Sequence, residues 1–479
     1  MKEYLLIDGE WCEAGSSKRI EVRCPSDGKP FASLAAGEAG DIDRAVAAAR
    51  RAFESSPWSS MTALERGRLL HRLSGMVAAR EDDIAAIESR DTGKPLRQGR
   101  ADAVALARYF EFYGSAAEMV RGTTLPFLDG HTAMTLREPH GVVGIIIPWN
   151  YPIQILGRTL GAAIAAGNTV VIKPAEDACL SILAVARCLD EAGFPPGVVN
   201  IVTGYGETAG AALAGHGGID FVTFTGSPPV GVSVQQAAAR NHIGCTLELG
   251  GKSPQIVFDD ADLEAALPVL TNAIIQNAGQ TCSAGSRLLL QKSIMDRLLP
   301  SLARRFRSLR AGPHDRDLDC GPLVSSAQRD IVQAHIDRAL ADGIPLIAQG
   351  EVVSDAPDGG YYCPPMLFGP VPEDHPIARE EIFGPVLSMI PFDDEADALR
   401  IANATDYGLV AGIWTSDGAR QMRLARRIRA GQVFINAYGA GGGVELPFGG
   451  CGKSGHGREK GFDGLLEFTR IKTIVTRHG

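Results

Sequence analysis

None of the nine cysteines forms a C-x-x-C pair, and no two of the ten histidines stand four positions apart. An odd, scattered cysteine set excludes a disulfide framework and the usual zinc spacings. Scattered histidines exclude a helical metal clamp, so no catalytic metal is expected. Free thiols fit a reducing compartment, and a cytoplasmic location is expected. No window of eighteen apolar residues occurs, hence no membrane span is expected. The N-terminal run MKEYLLIDGEWCEAG carries acids and a glycine where a secretory leader would be apolar. Long runs of one charge are also missing. Net charge −9, from 47 basic and 56 acidic residues, argues against nucleic acid or anionic lipid as the main partner.

What is present is a chain of 479 residues with 45% hydrophobic and 22% charged content. That length is too great for one core and predicts two or three domains. Residues 4–35 read as short strands and turns, with Asp8-Gly9 and Asp27-Gly28 as hairpin signals. Asp41 is placed as the cap of a helix with Ile42, Ala45, Val46, Ala49 and Phe53 on one face. Thr62 to Glu65 forms a capping box that opens a helix running to Gly93-Lys94-Pro95. A third helix covers about 98–118, and 123–138 reads as an extended excursion out of the domain.

From 141 the pattern alternates strand and helix. Gly141-Val-Val-Gly-Ile-Ile-Ile147 is a continuous apolar run stopped by Pro148, as in a strand buried on both faces of a parallel sheet. Further strands are expected at 169–173, 198–202, 221–225 and 246–249, with helices at 152–166, 180–192, 207–214 and 229–240. Together they predict an open doubly wound sheet. A second α/β alternation is expected after residue 282: strands at 287–291, 345–348, 386–391, 409–415 and 432–435, with helices between them. Gly439 to Gly443 should be a loop. The final Ile471 to Thr476 reads as a strand with no local partner, which would pair with another subunit.

Chemistry concentrates at Asn277-Ala278-Gly279-Gln280-Thr281-Cys282-Ser283-Ala284-Gly285. A cysteine between small residues, in a turn that closes a helix, is reachable, and its own N–H can face an oxyanion formed at its sulfur. A lone cysteine is otherwise a small core hydrophobe. In an open α/β sheet ligands bind beyond the carboxyl ends of the strands. Each of those ends is polar here: Trp149-Asn150, Lys173 to Glu176, Gly204-Tyr205-Gly206, Thr225-Gly226-Ser227 and Glu248 to Gly251. Gly204-x-Gly206-x-x-x-Gly210 misses the G-x-G-x-x-G dinucleotide fingerprint by one residue.

Seven stretches occur in order: Pro148 to Pro152 (PWNYP), Lys173 to Glu176 (KPAE), Phe224 to Ser227 (FTGS), Leu247 to Lys252 (LELGGK), Gly279 to Cys282 (GQTC), Glu380 to Pro385 (EEIFGP) and Pro447 to Gly450 (PFGG). This set resembles the signature motifs of the NAD(P)-dependent aldehyde dehydrogenase superfamily, and the likeness extends from about 20 to 475. The resemblance implies an α/β fold of aldehyde dehydrogenase type. A Rossmann-type cofactor domain would span 1–118 and 141–248, and a second α/β catalytic domain 249–447. A small β oligomerisation flap would comprise 119–140 and 467–479 and make a dimer or tetramer.

Roles follow from the same resemblance. Cys282 would be the nucleophile, Asn150 and the Cys282 N–H the oxyanion donors, and Glu248 the general base that readies water to hydrolyse a thioester. The carboxylate at 248 favours water over coenzyme A as acyl acceptor. Lys173 and Glu176 would hold the adenosine ribose and favour NAD over NADP. Gly206 would admit the adenine side, Gly226-Ser227 would put a helix N-terminus at the pyrophosphate, and Glu381 and Phe383 would hold the nicotinamide riboside. Trp149, Phe224 and Leu249 belong to the same cofactor set, and Glu380 is a helix-end charge. Tyr151, Ile155, Arg158 and Phe448 would line the aldehyde tunnel. Arg158 stands where semialdehyde-oxidising members meet a distal carboxylate; the alternative is an arginine paired with a neighbouring carboxylate. Gln276 is uncharged where those enzymes can show a second arginine. Asp91 is either a helix-end carboxylate or part of a monovalent-cation site. A cysteine esterase and a non-catalytic relative are the readings from other classes.

Overall fold

The structure is a computed structural model, and it describes residues 2–55, 57–439 and 443–478. The first α/β alternation forms an eight-stranded sheet in the order Gly455–His456, Gly244–Glu248, Phe221–Thr225, Val142–Ile147, Thr169–Pro174, Val199–Ile201, Leu5–Ile7, Glu10–Cys12. The five middle strands are parallel. Alternate residues feed opposite faces: Val143, Ile145 and Ile147 join one core, while Val142 and Val171 join the other. The N-terminal hairpin turns at Asp8 and Gly9, both at positive φ, and extends this sheet antiparallel to Val199–Ile201.

Helical boundaries differ from the sequence reading in instructive ways. The first helix, Ala39–Ser55, begins before Asp41, whose carboxylate accepts from the N–H of Glu38 from inside the first turn. The Thr62 box caps Ala63–Ala79 as expected, but the helix does not continue to 92. It breaks at Arg80 (φ −116°, ψ 22°), and Glu81, Asp82 and Asp83 start a new helix, Glu81–Thr92, with acids at its positive end. The stretch 180–192 is likewise two helices, Leu180–Ala186 and Cys188–Ala192. The expected helix 207–214 begins with a wide turn, Gly206–Gly210, before Ala211–Ala214.

Pro152–Ala166 starts on a proline and stops at left-handed Gly167 (φ 97°). Its Gly157 and Gly161 lie against Leu96–Ala116: a Cβ there would fall 2.9 Å from Tyr109 and 2.7 Å from Tyr113. That close packing fixes the helix that carries Arg158.

A second sheet runs Leu346–Gln349, Met366–Phe368, Val386–Phe392, Arg287–Gln291, Pro254–Val257, Val410–Trp414, Gln432–Ile435, and all but the first are parallel to their neighbours. Pro254–Val257, next to the centre of this sheet, and Met366–Phe368 were not foreseen. The C-terminal strand Thr469–Arg477 has a partner in its own chain after all. It pairs antiparallel with His131–Pro139 over nine residues, and Thr124–Leu125 completes a three-stranded sheet. Of the expected loop 439–443, residues 440–442 lie outside the described residues. Among the described residues no helix is long and apolar enough to cross a membrane.

Candidate active site

The first sheet reverses its strand order between Val142–Ile147 and Phe221–Thr225, which is where open α/β sheets bind ligands. A cavity of about 340 Å³ opens there. Pro148, Trp149 and Asn150 leave the first of these strands into its wall, and Thr225, Gly226 and Ser227 leave the second. The opposite wall comes from the second α/β unit and contains Cys282.

Cys282 is delivered by a turn under strain. After helix Leu263–Ile275, Asn277 (φ 49°), Ala278 (φ 52°) and Gly279 (φ 76°) all adopt left-handed backbone, at a cost of about 1–2 kcal/mol for each non-glycine residue. A Cβ at 279 would strike the Gly384 carbonyl, so glycine is required there. Side chains lock the turn: Gln280 donates to the Asn277 carbonyl (3.0 Å), and its amide oxygen accepts from Val324 N–H (2.9 Å). Asn150 Nδ2 donates to the Gln280 carbonyl (3.1 Å), which identifies the face of that amide and leaves its second N–H for another acceptor. The Cys282 side chain is partly accessible, and burial in the cavity wall pushes its thiol up to about 12, opposed by the positive charge of Arg158.

Glu248 ends strand Gly244–Glu248 and is buried, and among the described residues neither carboxylate oxygen has a hydrogen-bond partner. Burial and the neighbouring Glu459 carboxylate push its pKa well above the ordinary range. A buried carboxyl whose pKa is raised is what a general base near neutral pH needs. Its strand is closed on the outer side by Gly455–His456, with Glu248 opposite Gly455 and Leu249 N–H bonded to the Ser454 carbonyl. Gly449 leaves room beside it: a Cβ there would fall 2.7 Å from Glu248 Oε1.

The expected cofactor residues fall into two groups. Lys173 and Glu176 pair at 2.7 Å, and Glu176 also accepts from Gly206 N–H at 3.2 Å, at the carboxyl ends of strands Thr169–Pro174 and Val199–Ile201. Trp149, Gly226, Ser227, Glu381 and Phe383 line the cavity instead. Trp149 and Phe383 meet edge to face, with centroids 5.4 Å apart. Gly226 is needed because Phe224 lies against it, and Leu249 packs on Gly231 of helix Pro228–Arg240. That helix starts at Ser227 with no side-chain cap, and because Pro228 and Pro229 fill its first two positions and carry no N–H, Val230 is the first helical residue with a backbone donor. Glu381 accepts from Gly251 N–H (2.9 Å) and presses so closely on Gly250 that a Cβ would collide with its carboxylate. Burial pushes the Glu381 pKa up to about 7, opposed by that bond and by Lys252.

Comparison with known proteins fits this geometry. The profile of the Aldehyde dehydrogenase family matches residues 11–474. The chain belongs to the aldehyde dehydrogenase family. An aldehyde dehydrogenase of Emericella nidulans is 41% identical over 477 residues, covering 99% of this chain and 95% of that protein. The mitochondrial benzaldehyde dehydrogenase of Antirrhinum majus is 39% identical, covering 99% and 89%. Among solved structures, one from Burkholderia cenocepacia is 61% identical with a TM-score of 0.98, covering 99% of this chain and 100% of that one. The NAD+ complex of a Bacillus cereus aldehyde dehydrogenase is 38% identical with a TM-score of 0.97, covering 100% and 97%.

Tyr151, Ile155, Arg158 and Phe448 line the same cavity. Arg158 is not a free cation. Its guanidinium forms an ion pair with Glu459, both buried, and stacks 5.2 Å from the Phe448 ring centre. Glu459 is held from its other side by the Thr223 hydroxyl at 2.8 Å. Reading the sequence missed Glu459 and the buried Lys460 beside it; the signal was a charged run, Arg458-Glu459-Lys460, enclosed by Gly457 and Gly461. Tyr438, whose hydroxyl donates to the Ser283 carbonyl at 2.5 Å, and Gln154 on the wall were also missed. Asp91 is a buried carboxylate that caps helix Leu180–Ala186 through Leu180 N–H (2.7 Å).

Proposed function

We propose that this protein oxidises an aldehyde to its carboxylic acid, with NAD as oxidant and a thioester on Cys282 as intermediate. The observation that carries the reading is that Cys282, Asn150 and Glu248 line one cavity at the switch point of a doubly wound sheet. The Cys282 thiolate, formed when the thiol gives its proton to solvent, makes a bond to the carbonyl carbon and puts negative charge on its oxygen. The Asn150 amide, already oriented by Gln280, and the Cys282 N–H stabilise that charge; losing one such donor costs about 2.7–4 kcal/mol. When bound, NAD accepts the hydride that leaves the carbon. Glu248 then takes a proton from water as the water oxygen attacks the thioester, and the sulfur departs with its electron pair.

NAD would be held by Glu176 and Lys173 at the ribose, by the N-terminus at Ser227 at the pyrophosphate, and by Glu381, Phe383 and Trp149 around the nicotinamide riboside. The residues present fit it: Ser227 at the helix start and the Glu381 carboxylate wedged against Gly250 both face the same space, while Pro228 and Pro229 leave the first helical turn short of N–H donors. A carboxylate at 176 accepts from a free 2′-hydroxyl and repels a 2′-phosphate. The Saccharomyces cerevisiae relative at 40% identity is named for both NAD and NADP, so the preference is a property to measure.

Because Glu459 balances Arg158, the tunnel suits an uncharged aldehyde better than a semialdehyde. Its aromatic walls, Tyr151, Tyr438 and Phe448, and the benzaldehyde-oxidising relative favour an aromatic one. The three-stranded sheet leaves Leu136, Ile471 and Val475 exposed, which supports 119–140 and 467–479 as the segments that join copies into a dimer or tetramer. Sheet membership supports 1–118 with 141–248 as the cofactor domain and 249–447 as the catalytic one. The test mixes purified protein, NAD and a panel of benzaldehyde, betaine aldehyde and succinic semialdehyde while absorbance near 340 nm is followed. NADH formation with benzaldehyde is expected; ester hydrolysis with no NADH from any aldehyde would sink the proposal.

A further inference from the structure

Behind the cavity, where no substrate reaches, lies a buried ion cluster that the reaction does not use. Lys94 follows Gly93, the left-handed end of helix Glu81–Thr92 (φ 84°), and precedes Pro95, which starts helix Leu96–Ala116, so its backbone is pinned on both sides. Its ammonium is fully enclosed. Three N–H groups meet three acceptors: Glu88 Oε1 at 2.9 Å, Asp102 Oδ2 at 2.5 Å and the main-chain carbonyl of Asn150 at 3.1 Å. That carbonyl also accepts from Asn277 Nδ2 at 2.9 Å. The peptide of the oxyanion donor is therefore gripped from the helical layer on one side and from the strained cysteine turn on the other.

The cluster reaches further along the same wall. Asp102 Oδ1 accepts from Gln154 Nε2 at 2.6 Å, and Gln154 lines the cavity. The Lys94 ammonium lies 4.4 Å from the ring centre of Tyr151, whose hydroxyl bonds Thr281 at 2.9 Å, one residue before Cys282. Buried ion clusters add little stability compared with apolar residues of like volume, because desolvation offsets the attraction. What this one supplies is a fixed point, with every donor of Lys94 committed.

We propose that Lys94, which does not line the cavity, is a positioning residue that holds Asn150 in register with the Cys282 N–H, and that Asp102 passes the same constraint to Gln154. The inference rests on the thioester reading above.

The test uses the full chain and measures the first-turnover rate of NADH formation per active cysteine, the cysteines being titrated with labelled iodoacetamide. Lys94→Met is expected to slow that step by about 10- to 100-fold, the scale of a displacement near 1 Å at a reacting centre. NAD affinity and the rate of Cys282 alkylation should stay at wild-type values. A purely structural role would instead lower the number of active sites and leave the rate per site unchanged, which would overturn the proposal. Should Lys94→Met not fold, Lys94→Met combined with Glu88→Gln and Asp102→Asn removes all three charges of the cluster and is read the same way. If wild-type protein gives no NADH with any aldehyde, the thioester reading falls and this inference with it. If wild type and Lys94→Met give equal rates per site, only the inference falls.

Discussion

Arg158 and Glu459 form an ion pair closed off from solvent in the wall of the reaction cavity. Removing one partner leaves the other buried and uncompensated. Arg158→Met should therefore destabilise the protein by about 3–5 kcal/mol, measured as a shift of the urea midpoint. Arg158→Met with Glu459→Gln should recover most of the loss. The same pairing predicts no kcat/KM advantage for succinic semialdehyde over benzaldehyde in the wild-type enzyme.

Cys282 should be indispensable. Cys282→Ala is expected to abolish NADH formation while NAD still binds, as followed by quenching of tryptophan fluorescence. Burial holds the thiol at about 12, above its ordinary value, so the reactive thiolate is scarce at neutral pH and increases as pH rises. Iodoacetamide labelling of the free enzyme should accelerate steadily from pH 7 to 10; a plateau near pH 8 would contradict this.

Glu248→Gln should separate the two halves of the reaction. On the proposed mechanism acylation would need Cys282 and the oxyanion donors, whereas hydrolysis would need the base. A single burst of NADH, about one per active site, should be followed by a steady rate reduced about 100- to 10,000-fold, the range of general-base contributions. Mass spectrometry should find the acyl group on Cys282.

Glu381, with its pKa pushed up to about 7, is protonated at pH 6 and ionised at pH 8. The ionised form would accept more hydrogen bonds from the ribose hydroxyls that Glu381 is proposed to hold, so the Kd for NAD should fall as pH rises through 7. Glu381→Gln should flatten that profile in calorimetric titrations.

Glu176, bonded to Lys173 and to Gly206 N–H, is the group that would repel a 2′-phosphate. Glu176→Gln removes the charge and frees Lys173 to meet a phosphate. The ratio of kcat/KM for NAD over NADP is expected to fall at least about tenfold, equivalent to roughly 1.4 kcal/mol.

The parts of this molecule that could be read from sequence are those whose causes are local. Val142–Ile147 announces itself as an apolar run stopped by proline, and Pro152–Ala166 by proline at its start and glycine at its end. The Asp8-Gly9 turn needs only residues that tolerate positive φ. What escaped depends on distant partners. Pro254–Val257 is four residues long and opens on proline, so nothing near it marks a strand in a seven-stranded sheet. Thr469–Arg477 finds its partner more than three hundred residues away. In the site, Cys282, Asn150 and Glu248 were legible through ordered motifs, whereas Glu459 was not, because a charged residue between glycines looks like a solvated turn until burial is known. The break at Arg80 was hidden by continuous helical periodicity on both sides of it.

The short strand Gly455–His456 ties two distant stretches of the chain together, closing the outer edge beside the strand that ends at Glu248. A Cβ at Gly455 would fall 1.9 Å from the Leu247 carbonyl, so any side chain there would pry this edge away from the strand that carries the buried carboxyl.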